Sequence, residues 1–347
     1  MSRASRFLRA CRGLPVDTTP VWFMRQAGRY LPEYQATRAR AGDFLTLCKT
    51  PELACEVTLQ PVDRLGVDAA ILFSDILLPL EAMGLPLSFT EQGPQLEPVR
   101  SEADIAALRV PDPEELGFVL ETVRLCARAL AGQVPLIGFA GAPFTLLSYA
   151  VEGKTGKQFE HTKRMLLSCP AAAHLLLERI SDTIVALLRA QVAAGAQALQ
   201  LFDSWIGVLG QEDYQVFAEP YLQRVLMALR SLGVPLIYFA HHAAALLPLL
   251  GRLPADVLAL DWRLPLDQAA ALLGGRRVLQ GNLDPCVLLG PVAEIERRVR
   301  TILDQAAGLA GHVFNLGHGV LPSTPPAHAQ AAVEAVHRLG ARTGAAT

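Results

Sequence analysis

Short apolar runs rich in β-branched and aromatic residues recur eight times, at Val21–Met24, Ala69–Phe73, Leu136–Phe139, Ala198–Phe202, Leu236–Phe239, Val257–Leu260, Val278–Gln280 and Val313–Leu316. Between most of them lie long stretches of helical periodicity, among them Glu114–Ala131, Ala171–Ala194, Asp213–Leu232 and Val292–Leu309. Runs without polar alternation are buried on both faces, and strands alternating with helices make a parallel sheet wrapped by helices. The count of eight favours an α/β fold of one closed (β/α)8 TIM barrel over an open doubly wound sheet.

Polarity appears where such a barrel needs it. The runs are followed by Arg25, Ser74-Asp75, Gly141-Ala142-Pro143, Asp203-Ser204, His241-His242, Asp261, Asn282 and Gly317-His318. Active sites of these barrels are built on the loops after the strands, so this pattern predicts a reactive cleft at the strands' C-terminal ends. Extra length at about residues 25–68 and before Leu136 predicts insertions over that rim. Residues 1–347 are read as one domain.

Composition removes several alternatives. With 51% hydrophobic and 18% charged residues over 347 positions, the chain fills a core easily and is not disordered. A net charge of −2 argues against nucleic acid held by bulk electrostatics. Mean hydropathy of +0.30 raises the question of a membrane span. The longest apolar candidate, Thr183 to Leu201, carries Arg189, Gln191 and Gln197, so no span and no membrane partner is expected. Six cysteines without CxxC spacing suggest free thiols in a reducing compartment. The basic stretch Ser2–Arg12 has transit-peptide composition but runs straight into structured sequence, and is read as the first surface helix; cytoplasm is the expected compartment.

The stretch Pro20-Val21-Trp22-Phe23-Met24-Arg25-Gln26-Ala27-Gly28-Arg29-Tyr30-Leu31-Pro32-Glu33-Tyr34 carries the most chemistry. Two guanidiniums just after a strand form a fork for carboxylate or phosphate, and Arg38 follows nine residues later. Gly28 permits a turn or a close ligand approach. The bland alternative pairs these arginines with Glu33 or Asp43 on the surface.

This opening resembles the signature of the uroporphyrinogen decarboxylase family. So does Gly138-Phe139-Ala140-Gly141-Ala142-Pro143-Phe144-Thr145, and shorter matches occur at Phe73–Leu77, Leu201–Trp205, Gly281–Pro285 and Asn315–Gly319. The matches keep the family's order from near residue 7 to near residue 340. The resemblance implies removal of carbon dioxide from the four acetate arms of uroporphyrinogen III, giving coproporphyrinogen III in haem biosynthesis. It also implies no metal and no organic cofactor, because the electron-rich pyrrole itself serves as electron sink once a ring carbon is protonated. A homodimer is implied as well.

Carried over residue by residue, the resemblance makes Arg25, Arg29, Asp75 and Tyr149 the catalytic group. Arg25, Gln26, Ala27, Gly28, Arg29, Arg38, Asp75, Tyr149, Ser204 and His318 become the substrate-binding set. Ionised Asp75 would accept pyrrole N–H bonds and steady the developing cation; its bland alternative is a helix cap. Tyr149 would bond that aspartate or a propionate, and His318 would touch substrate or anchor its loop. Phe23, Phe144 and Phe202 are candidate apolar walls, and the small residues of the second motif would let backbone approach the macrocycle. The proton donor is left open: arginine is too weak an acid, and Asp75 is wanted ionised. A water or a substrate carboxyl positioned by Arg29 avoids the conflict.

Two rival readings have distinguishing features. Corrinoid-linked methyltransferases on the same barrel use a zinc site with a His-x-Cys pair, whereas His241-His242-Ala243-Ala244 has no cysteine. A non-catalytic tetrapyrrole carrier would keep the arginines and lose the aspartate, which is present.

Overall fold

The computed structural model describes residues 1–341 except Gln92, Lys157 and Arg276. Parallel strands β1 (Ala70–Ile71), β4 (Leu136–Gly141), β5 (Ala198–Asp203), β6 (Leu236–Ala240), β7 (Val257–Leu260), β8 (Val278–Leu283) and β9 (Gly311–Leu316) form one seven-stranded sheet in that spatial order. An antiparallel hairpin, β2 (Leu87–Thr90) and β3 (Gly93–Leu96), stands apart from it. Seven of the eight apolar runs are therefore strands, and parallel pairing is as the alternation predicts.

The first run differs. Within Val21–Met24 only Val21 forms a bridge, parallel to Phe314 of β9. The reason lies in where its N–H groups go. Asp68, Gln26 and Asn315 side chains accept from the N–H groups of Val21, Phe23 and Met24 at 2.9, 3.0 and 3.0 Å. Pro20 has no N–H to offer. Backbone bonds persist on either side: Phe314 donates to Pro20 at 2.8 Å, and Asp68 donates to Val21 at 2.8 Å. Trp22 also donates to the Phe314 carbonyl at 3.3 Å, so the segment lies between β9 and the residues entering β1, held by side chains as much as by backbone.

The helical stretches are also refined. The expected Asp213–Leu232 element is two helices, Gln211–Phe217 and Glu219–Leu229, with Pro220 in the first turn of the second, where its missing N–H breaks no helical bond. Glu114–Ala131 begins with a short 3-10 turn, Pro113–Leu116, and continues as helix Gly117–Leu130. The N-terminal stretch forms the expected helix, Arg3–Cys11, with one face built into the core. It buries Phe7, Ala10 and Cys11, and Arg6 binds the buried carboxylate of Asp68 at 2.7 Å.

Both insertions are structured. Residues 25–68 hold helices Pro32–Ala41, Phe44–Lys49 and Pro51–Leu65. The hairpin docks through Phe89 on Phe44, with ring centroids 4.7 Å apart, while Leu96 donates to the Gly153 carbonyl at 2.7 Å. That carbonyl ends helix Pro143–Glu152, which carries Tyr149. No helix among the described residues is long and apolar enough to cross a membrane.

Candidate active site

The loop after the first run is turned by Arg25 itself, whose φ of +58° lies in the left-handed region that favours glycine. For a residue with a β-carbon this conformation costs on the order of 1 kcal/mol, and such strain collects at functional sites. Gly28 does not take a positive φ. A β-carbon there would lie 2.9 Å from the Arg25 carbonyl oxygen, so glycine is needed to close the loop on itself.

Arg25 and Arg29 are exposed and Arg38 is half-buried. Neither surface partner weighed from the sequence holds them. Glu33 faces Arg64 at 3.7 Å, and Asp43 caps helix Phe44–Lys49 by accepting from Thr46 N–H at 2.9 Å. Gln26 behaves otherwise than its place in the binding set suggests. Its side chain is fully buried, with Oε1 accepting from Phe23 N–H and Nε2 donating to the Ala69 carbonyl at 3.0 Å each. The amide braces the loop between the first run and β1 and has no end left for a ligand. Ala27 and Gly28 are half-buried beside it.

Asp75 follows β1 and is half-buried. Its Oδ1 accepts from Leu77 N–H at 2.8 Å in a local turn, but the N-cap of helix Leu78–Ala82 is Leu77 and no side chain caps that helix, so the capping alternative does not hold. Burial pushes its carboxyl up to about 6, against the opposing pull of the Leu77 N–H and the Arg25 charge. At neutral pH it is mainly ionised. The Tyr149 phenol is raised by burial and by the negative Asp75 nearby. His318 is pushed down to about 3 by burial, then by the positive Arg25 and the neighbouring His241 and His242. Arg25, Asp75, Tyr149 and His318, distant in sequence, thus share one electrostatic neighbourhood at the strand ends.

Ser204 and His318 are joined by a residue that had no assigned role. The His241 imidazole lies with Nδ1 3.3 Å from the Ser204 carbonyl and its centroid 4.7 Å from that of His318. A carbonyl only accepts, so His241 carries its proton on Nδ1. Burial and the adjacent His242 lower it to about 4. Trp262 adds to this side of the mouth, with the Arg263 guanidinium 4.3 Å over its ring.

Not every polar tip faces the mouth. Asn282 is buried and spends its Nδ2 on the carbonyls of Asp261 and Leu264. Asp261 accepts from the N–H groups of His242 and Arg263. Phe23 and Phe144 are wholly buried and form no wall; Phe202 is half-buried and meets Phe139 at 5.5 Å and Phe239 at 6.0 Å. Glycines of the second motif admit protein instead of ligand: a β-carbon on Gly138 would strike Gln191 Oε1 at 2.4 Å, and one on Gly141 would strike Leu146 at 2.7 Å.

A family model described as uroporphyrinogen decarboxylase (URO-D) matches residues 2–339. The chain belongs to the uroporphyrinogen decarboxylase family. The uroporphyrinogen decarboxylase of Syntrophotalea carbinolica is 56% identical over 335 residues, covering 96% of this chain and 97% of that protein. That of Trichlorobacter lovleyi is 52% identical over 340 residues, covering 97% and 99%. A methyltransferase from Methanosarcina mazei superposes with a TM-score of 0.83, covering 97% of this chain and 99% of its own, at 20% identity. That likeness concerns the fold alone. Among the described residues, no three His, Cys, Asp or Glu side chains gather as metal ligands.

Proposed function

We propose that this member of the family is the uroporphyrinogen decarboxylase its relatives are named for, a carboxy-lyase that converts the four acetate arms of uroporphyrinogen III to methyls. The observation that carries the reading is that Arg25, packed against Gly319 next to His318, lies within electrostatic reach of Asp75, Tyr149 and His318. Near-full-length identity of 56% to a relative of that name supports it independently.

Arg25 and Arg29, free of carboxylate partners among the described residues, bind substrate carboxylates as planar forks, and Arg38 extends the cationic flank. The macrocycle's pyrrole N–H groups face Asp75. Protonation of a ring carbon makes the pyrrole cationic, and Asp75 stabilises that charge from a fixed position. The acetate C–C bond then breaks, its electron pair enters the ring and carbon dioxide leaves. A proton added to the exocyclic carbon gives the methyl, and loss of the ring proton restores the pyrrole. Each arm consumes one proton overall. No cofactor is needed, since the substrate accepts the electrons.

In this reading the Pro20–Trp22 segment stands as the eighth member of a closed (β/α)8 barrel spanning residues 1–347 as one domain. Its backbone bonds to both β9 and the approach to β1 support that closure. Cytoplasmic location and a homodimer belong to the same proposal, and sedimentation of the purified protein tests the latter. The deciding experiment is anaerobic turnover of uroporphyrinogen III with product carboxylates counted by mass. Formation of the four-carboxylate product is expected; binding without loss of carbon dioxide would make the protein a carrier.

A further inference from the structure

We infer that Asp203 is a positioning residue, a buried carboxylate behind the sheet that sets Ser204 and Tyr149 at the spacing the substrate needs. This rests on the function proposed above and concerns the same site.

Asp203 ends β5 and has no solvent exposure (0%). Successive residues of a strand face opposite sides. Phe202 packs with Phe139 and Phe239, and Phe239 neighbours His318 at the mouth, so Asp203 points toward the helices. There its Oδ1 accepts from the Thr145 hydroxyl at 2.6 Å and its Oδ2 from the Tyr238 hydroxyl at 2.8 Å. Thr145 Oγ1 in turn accepts from Trp205 N–H at 3.2 Å. The Asp203 backbone carbonyl takes the N–H of His241 at 3.2 Å.

These bonds converge on groups that face substrate. Thr145 lies one helical turn before Tyr149 on helix Pro143–Glu152, so the two share a face. Trp205, fixed through its N–H, places its ring 5.8 Å from that of Tyr149. Ser204 lies between the two anchored residues, Asp203 and Trp205. Tyr238 brings in β6, which ends at Ala240, just before His241. One carboxylate therefore ties the helix bearing Tyr149, the turn bearing Ser204 and the strand leading to His241.

The titratable groups facing Asp203 are phenols, Tyr238 from β6 and Tyr214 from helix Gln211–Phe217, and the latter's hydroxyl has no hydrogen-bond partner among the described residues. Among the described residues, no cation is paired with it. Burial raises the carboxyl to about 6, against the two hydroxyl donors. A buried acid without a counter-charge is a costly way to fill a core, whereas a satisfied polar network defines one geometry.

The test compares wild type with Thr145→Val, Thr145→Ser, Asp203→Asn, Ser204→Ala and the double variant Thr145→Val/Ser204→Ala, using anaerobic uroporphyrinogen turnover and thermal melting. Thr145→Val and Asp203→Asn are expected to lower kcat/KM by about 10–100-fold, as displacement of positioned groups by an ångström does. Thr145→Ser, which restores the hydroxyl, is expected within about threefold of wild type on the same scale. The double variant should lose no more than the worse single variant, because both changes act through one group. Multiplying losses, or wild-type kinetics in folded Thr145→Val, overturn the inference. Should Asp203→Asn not fold, the Thr145 and Ser204 cycle decides alone. Absent turnover by wild type would instead sink the functional reading itself.

Discussion

The aliphatic stem of Arg25 lies directly over Gly319. A β-carbon at position 319 would sit 2.3 Å from Arg25 Cδ and 2.7 Å from Cγ. These atoms are near the root of the side chain, so the whole guanidinium must move to clear a methyl. The glycine after His318 is therefore part of what aims Arg25, nearly three hundred residues away in sequence.

Gly319→Ala should accordingly lower kcat/KM by about 10–100-fold through misplacement of Arg25. Steady-state kinetics on a variant with a wild-type melting profile checks it. Unchanged kinetics would mean that Arg25 works equally well from another rotamer.

Asp75→Asn should remove most turnover, by about 100-fold or more, since it deletes charge at nearly constant volume. The same change should stabilise the fold. The Asp75 carboxyl is raised to about 6 in the native state, so the folded protein holds this proton more tightly than the unfolded chain. Its contribution to stability is full below about pH 4 and lost as pH rises through about 6. The asparagine variant should therefore gain up to about 3 kcal/mol at pH 8 and nothing at pH 4. Melts across that range measure the difference; a variant less stable than wild type at pH 8 contradicts the buried-charge account.

Arg29→Lys should raise KM for uroporphyrinogen about tenfold, because a point charge cannot reproduce a two-pronged contact with a carboxylate. Initial rates over a substrate series suffice. Wild-type KM would make Arg29 a solvated surface charge.

The acid limb of the pH–rate profile should fall near 6 and belong to carboxylates. His318 at about 3 and His241 at about 4 are already neutral there. His318→Asn should weaken activity yet leave the limb in place; its disappearance in that variant would assign it to the imidazole. Stability runs the other way from Asp75. Both imidazoles take up a proton more readily when unfolded, so their contribution is present above the ordinary histidine range and is lost progressively as pH falls from there to about 4 for His241 and about 3 for His318.

Dialysis against chelators should leave turnover intact, as expected for a reaction whose substrate is its own electron sink. Loss of activity restored by added zinc would overturn that chemistry.

The alternation of buried runs with helical periods was enough to specify a parallel α/β sheet, and the arginine-rich opening with the second motif was enough to indicate the family. These are local properties: burial on both faces and a 3.6-residue period write themselves into consecutive residues. Tertiary structure decided what depends on partners far along the chain. Val21–Met24 reads as a strand, but Asp68 and Asn315 take N–H groups that a strand would give to a ladder. Gln26 reads as a ligand contact, but Ala69 and Phe23 occupy both ends of its amide. Asp203 and Asp75 look alike as acids at the ends of apolar runs, and only the fold turns one, the last residue of β5, to Thr145 and Tyr238 and leaves the other in the loop after β1. His241 had no visible task until folding laid it between Ser204 and His318. A hydrogen bond is settled by which groups come within about 3 Å of each other, and that distance is a property of the packed chain, not of its spelling.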